Sequence, residues 1–354
     1  MKQQDEIKYV GSMQQLAYVR PIAWQEGRAH GMKGFDVQNG ALHFQVMTDK
    51  CLDIGSLSYK GINFCFLAKQ GLIGRMDYDT HGEEGRKNLM GGMMFTCGLE
   101  NTCLPCQDKD ASYPMHGRIR SAPAEHVGAD ADWLNGSYVI SVKGQMREAE
   151  IFGKNLVLRR EIKTIYGQKS IEISDTIENR GYQKEVMMLL YHINAGYPFL
   201  DENAQVILPS KKMMPRDEAA KTNMEAWMKM EKPRDNEPER VYLHELYGDE
   251  NGDTFAAFVN TRLKLGLLIE FNKTYLPNFV QWKSIASGDY VMGLEPTNAN
   301  VYGRVNEGEQ AHSLMPGEKE VIKLKLTVLE GEEELGRLYR KKVMENNVLK
   351  TVLL

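Results

Sequence analysis

No run of 18 apolar residues occurs anywhere in the 354-residue chain, so no segment has the make-up of a membrane-spanning helix. The N-terminus, Met1-Lys2-Gln3-Gln4-Asp5-Glu6, lacks the apolar core of a signal peptide. A basic surplus is missing too. The formal net charge is −4 and the pI about 6.1, which argues against a nucleic-acid partner. Nucleotide-binding and hydrolase signatures are absent: there is no GxxxxGK[ST], no GxGxxG after a strand, no GxSxG and no HExxH. Helical periodicity is scarce, and neither an internal repeat nor a low-complexity linker interrupts the chain. The five cysteines are an odd number in a chain without an export signal. They fit reduced thiols and a cytoplasmic location.

What the chain does contain is period-two alternation. Leu42-His43-Phe44-Gln45-Val46, Ile171-Glu172-Ile173-Ser174 and Ile322-Lys323-Leu324-Lys325-Leu326-Thr327-Val328 each place apolar residues on one face. Alternation of this kind marks half-buried antiparallel strands. Asn39-Gly40, Asn135-Gly136 and Asn251-Gly252 sit where hairpin turns are expected. Glu332 to Asn346 reads as a C-terminal helix. Lys212 to Lys232 reads as a surface excursion with at most a short helix, and Asp77 to Lys87 as a charged loop. The expectation is an all-β fold. One antiparallel sandwich spans residues 1–354, with 1–30 an extension packing on it and 331–354 a helix-like tail.

Three polar islands stand out in this strand-like sequence: Met115-His116-Gly117-Arg118, Tyr191-His192-Ile193-Asn194 and Leu294-Glu295-Pro296-Thr297. Each carries a group that moves a proton near neutral pH, two imidazoles and a carboxylate. Glu295 follows the apolar run Tyr290 to Leu294, where partial burial raises a carboxyl pKa and makes a better base. The alternative is a strand-end Glu in a surface ion pair. His192 follows Val186 to Tyr191, apolar enough for a central strand; the alternative is a core-edge imidazole bonded to backbone. Gly117 lets backbone approach closely after His116, and Arg118 has the fork to clamp a hydroxyl or an anion. An ordinary turn explains that island almost as well.

Cys103-Leu104-Pro105-Cys106, with Cys97 before it and His116 after it, supplies the ligand types of a structural zinc site. No second CxxC accompanies it, and reduced structural thiols are the reading adopted, with no metal and no cofactor expected.

The order His116-Gly117, His192, Glu295-Pro296 resembles the galactose mutarotase (aldose 1-epimerase) superfamily over roughly Gly34 to Leu329. The chain is more similar still to a bacterial branch of mutarotase-like proteins called DUF4432. The similarity lies at Asp49 to Ile54, Gly91 to Leu99, His116-Gly117-Arg118, Tyr191 to Asn194, Trp282-Lys283 and Gly293 to Pro296. This resemblance implies a β-supersandwich with Glu295 as general base, His192 as general acid and His116 binding sugar. The family's substrate-binding Arg has no clear counterpart; Arg86 or Asn101 could take its place. Arg118, Lys283, Asn101 and Asp49 are the candidates for gripping sugar hydroxyls. The expected partner is a small-molecule sugar, with no membrane, and a homodimer is left open. The rival readings are a sugar-binding protein without catalysis, and a lyase or hydrolase using the same cleft. An inverting hydrolase needs a second carboxylate, for which Asp49 or Asp53 is available.

Overall fold

In a computed structural model, residues 6–74, 82–109, 111–308 and 311–345 are described. Alternating sequence becomes antiparallel sheet almost throughout. One long sheet runs in the order Tyr18–Ala23, Lys33–Gln38, Leu42–Met47, Asp53–Tyr59, Met94–Leu99, Met188–Ala195, Asp289–Thr297, Asn278–Ala286, Arg240–Leu246 and Ser210–Pro215. The second sheet runs Glu125–Leu134, Ser137–Ala149, Asn155–Ile165, Ser170–Asn179, Lys319–Glu330, Leu265–Asn272, Asp253–Asn260 and Ala204–Ile207. One apolar core joins them. Phe44, Leu57, Met94, Ile193 and Leu294 of the first sheet pack with Ile140, Leu158, Ile173, Ile269 and Leu324 of the second. This is the expected all-β supersandwich.

Hairpin chemistry holds at two of the three expected turns. Asn39-Gly40 joins Lys33–Gln38 to Leu42–Met47. Asn135 and Gly136, with φ of 51° and 82°, make the doubly positive turn between Glu125–Leu134 and Ser137–Ala149. Asn251-Gly252 instead turns the chain between strands of different sheets, Arg240–Leu246 and Asp253–Asn260, so it closes no hairpin. The N-terminal extension contributes the edge strand Tyr18–Ala23. The C-terminal helix is present as Gly331–Glu345. Three glutamates in its first turn suit the helix dipole, and Leu335 and Leu338 are buried against Phe255 and Val259. Of the Asp77-to-Lys87 stretch, 77–81 lie outside the described residues, and Gly82–Lys87 is a short 3₁₀ helix.

The Lys212-to-Lys232 excursion departs from expectation. Its first residues belong to the strand Ser210–Pro215, which extends the long sheet, and only Glu218–Thr222 is α-helical. Two prolines close by did not prevent pairing, because this strand lies at the sheet edge.

A buried ionic network ties the sheets together. Arg160, on Asn155–Ile165, has no exposed side-chain surface. Its guanidinium holds Asp175 through two bonds of 2.8 and 2.6 Å. It also donates to Asp53 at 2.6 Å and to Thr96 Oγ1 at 2.9 Å. Tyr191 OH donates to Asp175 at 2.7 Å. Removing one partner from such a network leaves a buried charge uncompensated, at a cost of about 3–5 kcal/mol. Arg160→Ala is therefore expected to lose about that much stability in chemical denaturation; a loss below about 1 kcal/mol contradicts a structural role for the network.

Candidate active site

The strand Met188–Ala195 is buried along its whole length, as its apolar approach suggests. Period two then sorts its side chains. Tyr191 and Ile193 enter the inter-sheet core, while Leu190, His192 and Asn194 face away from it. On the hydrogen-bonded neighbour Asp289–Thr297, Leu294 enters the core and Glu295 takes the same outer face as His192. The register pairs Ile193 with Leu294 and Asn194 with Gly293, so His192 and Glu295 stand level on adjacent strands. His192 Nε2 lies 3.3 Å from Glu295 Oε1, without the alignment of a hydrogen bond. Neither residue is at a strand end. The Asp289–Thr297 strand continues through Pro296, which pairs with Phe279.

The pair forms the floor of a cavity of about 470 Å³ on the outer face of the long sheet. Phe95 stacks on His192 at 4.4 Å between centroids, and Trp282 meets it edge-on at 5.4 Å. His116 stands in the wall, its ring centroid 5.5 Å from that of His192. Gly117 behind it is obligatory: its φ is 68°, and a Cβ there would lie 2.0 Å from the carbonyl oxygen of Gly98.

Burial sets the protonation of this group. Desolvation pushes Glu295 up to about 8, a rise that Arg216 opposes and Glu239 adds to. Desolvation pushes His192 down to about 3 and His116 well below the ordinary imidazole value. Between those limits the His192–Glu295 pair holds one proton, on the carboxyl. Glu295 Oε1, His192 Nδ1, His116 Nδ1 and Asn194 Oδ1 are enclosed beneath this space without an aligned hydrogen bond, and the Asn194 side chain, close to the His192 ring, opposes part of the fall in its pKa.

The other expected hydroxyl-gripping residues are placed elsewhere. Lys283 follows Trp282, so strand parity turns it to the opposite face. There it is fully buried, donating to the carbonyls of Ala226 and Lys229, each at 2.6 Å, and pairing with Glu231. Asn101 is spent on backbone: it donates to Leu104 and Pro114 and accepts from Arg304 N. Arg118 binds Glu100 and the carbonyl of Ser112. Asp49 accepts from Lys33 N in the turn after Leu42–Met47. None of the four lines the cavity. Arg86 does line it, at the rim.

Arg216, absent from the sequence-based set, also lines the cavity. Its backbone N–H bonds to Val241 O, and its guanidinium lies 3.6 Å from Glu239. Nothing in its surroundings in the sequence marked it. Cys103 lines the cavity as a buried thiol whose pKa burial raises. Among the described residues, no group of three or more His, Cys, Asp or Glu side chains is arranged for a metal ion. No described helix is long and apolar enough to cross a membrane.

Glu295 also imposes a pH dependence on stability. Its folded-state pKa lies above the unfolded value, so its contribution is complete below about 4.5 and is lost as pH rises toward 8. Glu295→Gln, which cannot ionise, is expected to melt a few degrees above the wild type at pH 8, at roughly 2 °C or more per kcal/mol. The difference should shrink at pH 5. Equal melting shifts at both pH values would mean that Glu295 is ionised in the folded protein.

Solved structures share this fold. A candidate aldose 1-epimerase from Klebsiella pneumoniae superposes with a TM-score of 0.86 at 22% identity, covering 96% of this chain and 90% of that one. A galactose mutarotase-like protein from Clostridium acetobutylicum gives 0.61 at 15% identity, covering 90% and 100%. A galactose 1-epimerase from Lactobacillus acidophilus gives 0.56 at 12%, covering 89% and 100%. At these identities the likeness establishes the fold. No curated protein matches the sequence. The domain of unknown function DUF4432 matches residues 29–328, most of the chain, and the protein belongs to that family.

Proposed function

We propose that the protein is an aldose 1-epimerase, interconverting the α and β anomers of a free sugar by acid–base ring opening. The observation that carries this reading is the His192–Glu295 pair, 3.3 Å apart on the floor of a cavity large enough for a monosaccharide. Ring opening needs one base and one acid. The base takes the proton of the anomeric hydroxyl as its oxygen becomes the carbonyl. The bond from the anomeric carbon to the ring oxygen breaks, and the acid's proton goes to that oxygen. Rotation about C1–C2 presents the other carbonyl face, and closure runs the same transfers backward. No electron leaves or enters the sugar.

A pair holding one proton suits this cycle. In the opening direction Glu295 is the base and His192 the acid, leaving a neutral carboxyl and a neutral imidazole. Burial favours that same neutral pair in the sugar-free site, and ring closure starts from it. A bound sugar supplies the hydrogen bonds that stabilise the charged alternative. Phe95 and Trp282 exclude water and present apolar faces for C–H groups of the sugar. His116 and Arg216 in the wall are the hydroxyl-binding residues of this reading, with Arg86 at the rim.

Inverting hydrolysis is less well supported. Asp53 is held in the Arg160 network, Asp49 is in a turn, and the lining carboxylates Glu237, Glu239 and Asp289 are engaged by Arg240, Trp282 and Lys69. For catalysis, Glu295→Gln or His192→Ala is expected to slow anomer exchange, measured by NMR, about 10²–10⁴-fold with the fold intact. Exchange should fall as pH rises through about 8, where the pair loses its proton; each limb of the profile belongs to the pair. Wild-type exchange rates in folded Glu295→Gln would end the proposal.

A further inference from the structure

We infer that Lys50, Arg120 and Asn88 hold one small monovalent anion of halide size, in a second pocket that shares Phe95 and Gly91 with the main cavity. The inference is independent of the ring-opening reaction.

It begins from Asp49 to Ile54, a stretch of the family resemblance that contributes nothing to the main cavity. Cys51 and Leu52 have φ of 55° and 52°, and Asp53 N bonds back to Lys50 O at 2.9 Å, so the chain turns tightly after Lys50. Cys51 N donates to Ala122 O at 2.9 Å, and Ala124 N to Thr48 O at 2.8 Å. These bonds stitch the turn to the segment around the short 3₁₀ helix Ile119–Ser121. The stitching brings Lys50 and Arg120 to the same pocket.

Lys50 is 9% exposed and Arg120 6%. Among the described residues the Lys50 ammonium has no hydrogen-bond or ion-pair partner. A lysine so enclosed is rare unless it is paired. Burial pushes Lys50 down to about 8, and the repulsion of Arg120 outweighs the attraction of Asp53.

Asp53 is the only carboxylate among the described residues that line the pocket, and its oxygens are taken. They accept from Thr96 N at 2.9 Å, from Thr96 Oγ1 at 2.6 Å and from Arg160 at 2.6 Å. Asn88 is buried and accepts from Arg28 at its Oδ1, so its side chain meets the pocket as a donor. The other lining side chains are apolar, chiefly Met47, Met90 and Met94. Size then sets the class of guest. The pocket measures about 20 Å³. A guest the size of a water needs roughly 10–15 Å³, and a phosphate, a sulfate or a sugar several times more. Donors select an anion over a cation, and the thioether wall favours a weakly hydrated, polarizable one, chloride or bromide. A water would meet the same donors but bring no charge to offset Lys50.

The test uses the full chain and the halides themselves. Chloride binding is measured by the NMR line width of chloride, and crystals soaked in bromide are read by anomalous scattering. The wild type should broaden the chloride line, and bromide should reverse the broadening. Saturating chloride should raise the melting temperature by roughly 2–4 °C over gluconate at equal ionic strength. Lys50→Met should lose these responses. If that variant does not fold, Asn88→Leu, which keeps both positive charges, should weaken chloride binding roughly 10-fold. A bromide peak between Lys50 and Arg120 would confirm the site. Bromide at surface positions only, or chloride binding unchanged in both variants, would overturn the inference.

Discussion

Arg160 sits between the two sheets with its guanidinium wholly enclosed, and the position of the cavity-lining face depends on what it holds. Its partners Thr96 and Asp53 and, through Asp175, Tyr191 lie on three neighbouring strands of the long sheet. Thr96 is next to Phe95, and Tyr191 is next to His192. The strands of Thr96 and Tyr191 therefore each present one residue to the ionic network and its neighbour to the cavity. A slip of one residue would exchange them, carrying the charge partners out of the core and the imidazole in. Such a network adds little net stability compared with an apolar core, since desolvation offsets most of its attraction. Its contribution here is to register. Burial pushes Asp53 up to about 6 even against the pull of Arg160, which shows how dry that layer is.

The same dryness sets the chemistry on the other face. Glu295 and His192 meet apolar surroundings, with Phe95, Val280, Trp282 and Val301 lining the cavity about them. Neither group can be charged there without compensation, so the pair keeps one proton and stays neutral. Arg216 tempers the effect on Glu295 from the wall, through Coulomb attraction to the ionised form. One cause, desolvation, thus acts in opposite directions on a carboxyl and an imidazole. A carboxyl poised near 8 beside an imidazole held neutral is the kind of perturbed pair that the proposed acid–base reaction requires.

Much of this was legible in the residues. Alternation along Leu42 to Val46 and Ile322 to Val328 identified half-buried strands. The apolar runs before His192 and Glu295 read as buried strands, and both residues lie within those strands, not after them. What the sequence could not show was which polar neighbours share their face. Lys283 adjoins Trp282, and strand parity alone puts it on the far side. Asn101 and Arg118 flank His116 in irregular backbone, where no periodicity says which way a side chain points. Arg216 came from a stretch of charges and prolines that reads as surface, and it reaches the cavity only because Ser210–Pro215 pairs with Arg240–Leu246. Asn194 was part of an island, but its amide is held by carbonyls of Gly92 and His192 that only the fold assembles.

The most direct test of the account is a titration of the Glu295 carboxyl itself, by carbon NMR on protein labelled at glutamate side-chain carboxyls, with Glu295→Gln identifying the signal. Glu295 is expected to release its proton near pH 8 in the sugar-free protein, while the His192 ring stays neutral down to about pH 3. A Glu295 signal that titrates near the ordinary value of about 4.5 would contradict the account, since the floor of the cavity would then carry a permanent charge and not a shared proton.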